Sequence, residues 1–363
     1  MRTVTRIVVS TLFLAAIGPL PVGAVESDPE LGDPVYLFVD ESSAEPVLGI
    51  EPDSIAVNTW SRSQVVSFFN AEYTPALSVA MGWTGNAATC NAGTTSQAYL
   101  DATFQMINFY RGMTGLPDVT NATTYNAASQ QAALIMSVNG ALNHNPPSSW
   151  TCWTSAGASA AGSSNLALGA AGPGAIVLYM TDPGSGNYFV GHRRYVLYPR
   201  RNQFGSGSVG ESTPQANALY VFTTTVARPA TPTKVAWPPE GYVPYQVVYA
   251  RWSMALNTSS TVSFASANVT MTEGGSPVSL SVVSRVDNGY GDNTIVWEPS
   301  GLSFSPGMQD RTFTVTVSGI SVSGSPQTVV YDVVVMDPAV NNDLIFEDDF
   351  ESGGTGSWTA TVG

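Results

Sequence analysis

The chain has 363 residues, a formal net charge of −14 and 44% hydrophobic residues. That length supports two cored domains, and that apolar content excludes a wholly disordered chain. The acidic balance excludes a nucleic-acid partner, which needs a basic stripe. With charged residues at only 11%, strands and long polar loops suit the composition better than a helical bundle.

The N-terminus has the layout of a secretory signal peptide over residues 1–24. Arg2 and Arg6 precede a mostly apolar run, Ile7 to Leu20, and Val22-Gly23-Ala24 puts small residues before the cut. The run is short for a membrane span, and no second one is long enough. The expected location is secreted, either extracellular or periplasmic. Export makes Cys90 and Cys152, the only two cysteines, a candidate disulfide. Residues 25–96 form an N-terminal extension: an acidic leader with one strand at Val35–Val39, then Val65, Val66, Phe68 and Phe69 at helix-like spacing, broken at Trp83-Thr-Gly.

Leu100, Phe104, Ile107 and Tyr110 follow the i, i+4, i+7 spacing of a helix. A second helix is predicted from Tyr125 to Val138, closed by Asn139-Gly140 as a left-handed cap. His144 therefore lies just past a helix end, in a loop that Pro146-Pro147 hold extended. Thr154–Ser164 reads as a small-residue loop. Pro173 opens a third helix, and Asp182-Pro183-Gly184 ends it. Tyr195–Tyr198, Ser208-Val209 and Leu219–Thr223 read as strands. Arg193, Arg194, Arg200 and Arg201 gather four of the 13 Lys and Arg residues into nine positions. They are expected on the surface, paired with the acidic chain, with an anion or polysaccharide rim as the sharper alternative.

Residues 227–233 form a Pro/Thr linker. Beyond it, six or seven short apolar runs lie between Gly, Asn and Ser, and Phe313–Val317 alternates at period two. These predict an immunoglobulin-like β-sandwich over residues 234–337, followed by an acidic tail over 338–363. Gly205-Ser-Gly207-Ser-Val-Gly210 spells a dinucleotide fingerprint, but no helix follows it, so it is discarded. Asp287–Asn293 reads as a polar hairpin turn rather than a calcium loop.

Four motifs in order resemble the CAP superfamily of cysteine-rich secretory, antigen 5 and pathogenesis-related 1 proteins, in its bacterial secreted branch. They are Ile107-Asn-Phe-Tyr-Arg111 with Gly115-Leu-Pro117, Gly140-Ala-Leu-Asn-His144, Ser163-Ser-Asn-Leu166, and Gly191-His-Arg-Arg-Tyr-Val-Leu-Tyr-Pro199 with Gly205-Ser-Gly207. The resemblance spans residues 97–226. It implies an α+β protein: a CAP-like α-β-α sandwich followed by the all-β sandwich. It also implies a cleft where His144 faces His192, lined by Ser164, Asn165, Asp182 and Arg193. Ser164 replaces the first of two acids that complete the family's tetrad, and Asp182 stands for the second. Histidine is the usual proton shuttle and the commonest metal ligand. His144 and His192 could start a zinc site, although durable ones have three or four protein ligands.

Three readings follow. The favoured one is a secreted, non-enzymatic binding protein whose two-histidine cleft takes a small apolar or lipid-like ligand, with no cofactor unless zinc. The second is a metal-dependent hydrolase or protease in which His144, His192 and Asp182 are the catalytic candidates. The third is a structural or adhesive cell-envelope protein.

Overall fold

A computed structural model describes residues 57–210 and 214–340. The signal-peptide reading, the Val35–Val39 strand and all but the first residues of the acidic tail lie outside them.

The described chain begins with α1 (Arg62–Phe68), which runs through a π-helical turn, Phe69–Tyr73, into the short α2 (Thr74–Ala76). Ser61 caps α1 by accepting from the amide of Gln64. Phe68, Phe69 and Tyr73 pack their rings against Phe109 of α3 (Gln97–Met113). The disulfide Cys90–Cys152 ties the segment before α3 to the loop after His144.

The first unit is a three-layer α-β-α arrangement. Its sheet has the order β1-β3-β4-β2, from β1 (Thr120–Asn121), β2 (Ser164–Leu168), β3 (Gln203–Val209) and β4 (Ala216–Tyr220). β1 is parallel to β3, and the other pairs are antiparallel. α4 (Thr123–Asn139) and α5 (Ser155–Ala161) cover one face, where Ile135, Ala161, Leu166, Val209 and Ala218 share a core. α3 and α6 (Gly172–Thr181) cover the other, with Ile107, Ile176, Ala167, Phe204 and Leu219. Alternation along β2 explains the division, since Leu166 faces one core and its neighbour Ala167 the other.

Two sequence expectations change here. Thr154–Ser164 is not a loop: Ser155–Ala161 is helical, capped by Thr154 accepting from the amide of Gly157. Tyr195–Tyr198 is not a strand: α7 covers Gly191–Val196. An aromatic and β-branched run suits a strand locally, but here the chain is anchored from outside. The fully buried Arg111 donates to the carbonyls of Val196, Tyr198 and Arg201, which fixes the exit of α7.

The second unit consists of two β-sheets. One has the order β10-β9-β13-β14-β6, from β6 (Gly241–Pro244), β9 (Asn268–Glu273), β10 (Ser276–Pro277), β13 (Arg311–Val322) and β14 (Ser325–Met336), with β8 (Val262–Ser263) also on β13. The other has the order β11-β12-β7-β5, from β5 (Lys234–Trp237), β7 (Trp252–Leu256), β11 (Leu280–Ser284) and β12 (Thr294–Pro299). The period-two run on β13 buries Phe313, Val315 and Val317 completely, at about 1.5–3 kcal/mol for each large apolar side chain. The protein is thus α+β, a layered unit followed by a β-sandwich.

The two units share one apolar core. Tyr110 of α3 meets Trp237 of β5 edge-on at 5.0 Å and shares a 2.6 Å hydrogen bond with the Tyr249 hydroxyl. The N-terminal segment straps both units. The amide of Tyr242 donates to Thr59, and Arg62 pairs with Asp310 and donates to the carbonyl of Asp337. Among the described residues, no helix is long and apolar enough to cross a membrane.

Candidate functional site

Helix α6 ends where Asp182 adopts the left-handed conformation (φ 48°, ψ 56°). Eight residues later Val190, a β-branched residue, does the same as N-cap of α7. Non-glycine residues in this region are strained, by about 1–3 kcal/mol each, and persist only where their surroundings impose them. The two strained residues bracket the connection that delivers His192.

Asp182 is wholly buried, and its carboxylate grips His192 twice. Oδ1 lies 2.7 Å from Nδ1 of the imidazole, and Oδ2 accepts from the His192 amide at 3.0 Å. A carboxylate only accepts, so Nδ1 carries a proton, and in the neutral ring Nε2 is the atom left with the lone pair. That Nε2 is buried and has no hydrogen-bond partner in the protein. The ring packs 5.2 Å from Tyr179, whose hydroxyl sits between the Asn165 carbonyl and Asn217. Burial pushes the Tyr179 phenol well above its ordinary value, so it stays a neutral donor. Asn165 closes the ring of contacts by donating from Nδ2 to the His192 carbonyl at 3.1 Å.

His144 arrives from the opposite layer. Gly140 turns the chain out of α4 with φ 60°, and the imidazole Nδ1 reaches the Ala161 carbonyl at the end of α5, 2.8 Å away. A carbonyl also only accepts, so His144 too presents an Nε2 lone pair. Burial lowers its pKa to about 4, opposed by the Ala161 bond. His144 is therefore neutral at pH 7. Ser164 is buried and donates to the Ala160 carbonyl at 2.7 Å, next to the carbonyl that holds His144.

Asp182, His192 and Asn165 are thus joined by direct bonds, while His144 and Ser164 are fixed on adjacent carbonyls of α5. The arginines depart from expectation. Arg193, Arg194 and Arg201 are buried rather than on the surface, because each finds fixed acceptors inside. Arg193, read as a cleft residue, donates instead to Met180, to the Arg251 carbonyl at 2.8 Å and to Ser253 at 3.0 Å. Burial lowers its pKa to about 10, which still leaves it charged at pH 7. Arg194 reaches the carbonyl of Asp292 and Oδ1 of Asn288, so the 287–293 loop serves as a cover for α7.

Sequence reasoning missed Arg251. Its Nη1 donates to the Asp182 carbonyl at 2.8 Å while Nε pairs with Glu298. The lone signal for it was an arginine opening an apolar strand, too common to single out.

Residues 104–225 match the model of the cysteine-rich secretory protein family, CAP. This segment is a CAP domain. The match begins inside α3 and ends just past β4, so His144, Ser164, Asn165, Asp182, His192 and Arg193 all lie within it, and Arg251 lies outside. A search of curated proteins found no match to the chain.

The CAP resemblance raised zinc as a ligand. Two Nε2 atoms, one backed by a carboxylate and the other by a backbone carbonyl, are a sound beginning, because such partners orient metal-bound histidines. The set stops there. Ser164 stands in place of an acid, the Asp182 oxygens are committed to His192, and no group of three or more His, Cys, Asp or Glu among the described residues could hold a metal. This donor set does not fit a tightly held resident zinc ion.

Proposed function

We propose that the protein is a secreted CAP-domain binding protein whose His144–His192 pair receives the hydrogen-bond donor of a small, otherwise apolar or lipid-like ligand. One observation carries this reading: the buried Nε2 of His192 has no partner in the protein. Leaving a buried acceptor unsatisfied costs about 1–3 kcal/mol, so the site is built for something that donates. A neutral His144 adds a second acceptor to this reading rather than a competing charge. The complement of two imidazole lone pairs is a hydroxyl or an amine on the ligand. The small apolar residues between Ala156 and Ala171 are the walls that this reading expects for such a ligand. The Cys90–Cys152 disulfide fits an exported protein.

Native mass spectrometry of protein purified from its secreting host tests the reading. The wild type should carry a small molecule that organic solvent releases, and folded His192→Ala should carry much less. Equal occupancy in the two proteins, or none in either, defeats it.

A second reading rests on the Asp182–His192 pair itself. An imidazole oriented by a buried carboxylate, with a lone pair free, is the base-and-orienter half of many hydrolytic sites. It predicts ester or peptide hydrolysis that His192→Ala abolishes and His144→Ala reduces. An unchanged rate in His144→Ala removes a two-histidine mechanism.

A further inference from the structure

We infer that the β-sandwich is a working part of the two-histidine site, and that Arg251 is a positioning residue that holds Asp182 so that Asp182 can hold His192. The inference rests on the reading that His192 serves the site, and it adds a second unit to that site.

The connection between α6 and α7 is a poor spring on its own. Asp182, Gly184 and Val190 all have positive φ, at 48°, 94° and 49°. For Asp182 and Val190 this conformation is intrinsically unfavourable. Part of the restraint is local. Asn187 donates to the Pro183 carbonyl at 2.7 Å, and the Val190 amide donates to Asn187. The remainder crosses from the second unit and falls on the two ends that carry chemistry. At the Asp182 end, the Arg251 guanidinium donates to the carbonyl of Asp182 itself. At the His192 end, the next residue, Arg193, donates back to the Arg251 carbonyl and to Ser253. Arg251 thus bonds to both sides of the connection, through its side chain to Asp182 and through its backbone to Arg193. Its own side chain is steadied by Glu298 on the neighbouring strand β12, with Nε 2.8 Å from Oε1. Arg194 adds a further hold through Asp292 and Asn288.

The orientation of an imidazole follows from the partner of its other nitrogen. Asp182 sets that partner, and its carboxylate is aimed by a backbone that would relax if the bond from Arg251 were absent. Removing Arg251 should therefore be read at His192, at a distance from the substituted atoms. Arg251 does not contact the His192 ring in this arrangement.

The test is nitrogen-15 NMR of the histidine ring in the full mature chain at pH 8, where the two tautomers have distinct Nδ1 and Nε2 shifts. The wild type should show His192 with its proton on Nδ1. Arg251→Met keeps the apolar length and removes the donors. It should turn this into a mixture of tautomers, with the His144 shifts unchanged. If Arg251→Met fails to fold, Arg251→Lys carries the test, because a single ammonium cannot bond to the Asp182 carbonyl and Glu298 in the same fork geometry. It should shift His192 in the same direction by a smaller amount. A folded Arg251→Met or Arg251→Lys protein whose His192 shifts superpose on the wild type overturns the inference. The readout needs no ligand, so an empty site in the mass-spectrometric experiment would sink the binding reading and leave this result standing.

Discussion

The two histidines are the same residue held in two different ways. His192 is over-determined: both oxygens of a buried aspartate, an asparagine on its carbonyl, a tyrosine ring, and bonds that fix Asp182 and Arg193 to another unit. His144 depends on one bond to the Ala161 carbonyl, in a loop launched by a single left-handed glycine. The lesson concerns where stiffness comes from. One half of the site borrows it from the β-sandwich across the chain, and the other from its own loop and a covalent tie. Perturbations should separate the halves accordingly.

The largest separation should come from reduction. Cys90 and Cys152 are 62 residues apart, and Cys152 lies eight positions beyond His144. Opening a loop of that size should cost about 4 kcal/mol, measured by urea unfolding with and without dithiothreitol. Hydrogen exchange should rise around His144 first and around His192 last. Uniform loss of protection in both would show that the two halves are not held independently.

Next comes Asp182→Ala, which attacks the other half. It leaves Nδ1 of a buried imidazole and the His192 amide without their acceptor and places alanine in a left-handed position. We expect a loss of about 2–3 kcal/mol by thermal denaturation. Asp182→Asn should lose less, because asparagine tolerates this conformation and keeps an acceptor.

A smaller effect is written in the pH dependence. The folded-state pKa of His144 is lowered from 6.5 to about 4. Above pH 6.5 the ring is neutral in both states and its contribution is complete. As pH falls from 6.5 towards 4, the unfolded chain binds a proton that the folded one refuses, so stability declines. After allowance for its partial exposure, His144 should account for about 2 kcal/mol of that decline. The difference between wild type and His144→Gln, titrated by urea unfolding from pH 7.5 to 4, should isolate it. Parallel curves would show that His144 is not buried as a neutral ring.

These regions also differ in how much of them can be read from the chain. Gly140 after a periodic helix, Pro173 at a helix start, and the alternation of Phe313–Val317 carry their own local physics. Each is where it was expected, and the ordered motifs of the CAP resemblance put His144, Asp182 and His192 in view together. What stayed hidden was non-local. α5 is built from Ala, Gly and Ser, with no apolar stripe to announce it. α7 carries a strand-like run, and its arginines looked like surface charges because their acceptors lie as far away as the Ser253 hydroxyl and the Asp292 carbonyl. Arg251 meets Asp182 across 69 positions, a pairing that no spacing rule supplies.

The smallest prediction isolates the launch of the His144 loop. Gly140 has φ 60°, and a Cβ placed there would meet nothing within 4 Å. Any effect of Gly140→Ala is therefore conformational and not steric. An alanine in this region costs about 1 kcal/mol, partly offset by a less flexible unfolded chain. The helix must either hold that strain or unwind the cap in which the Gly140 and Ala141 amides donate to Ser137 and Met136. In the first case stability falls and the His144 ring shifts stay put. In the second the loop re-registers and His144 loses the Ala161 carbonyl, while the Asp182–His192 pair, fixed from another direction, keeps its nitrogen shifts. Movement of both histidines in Gly140→Ala would mean that the site is one rigid body, and the contrast between its halves would fall.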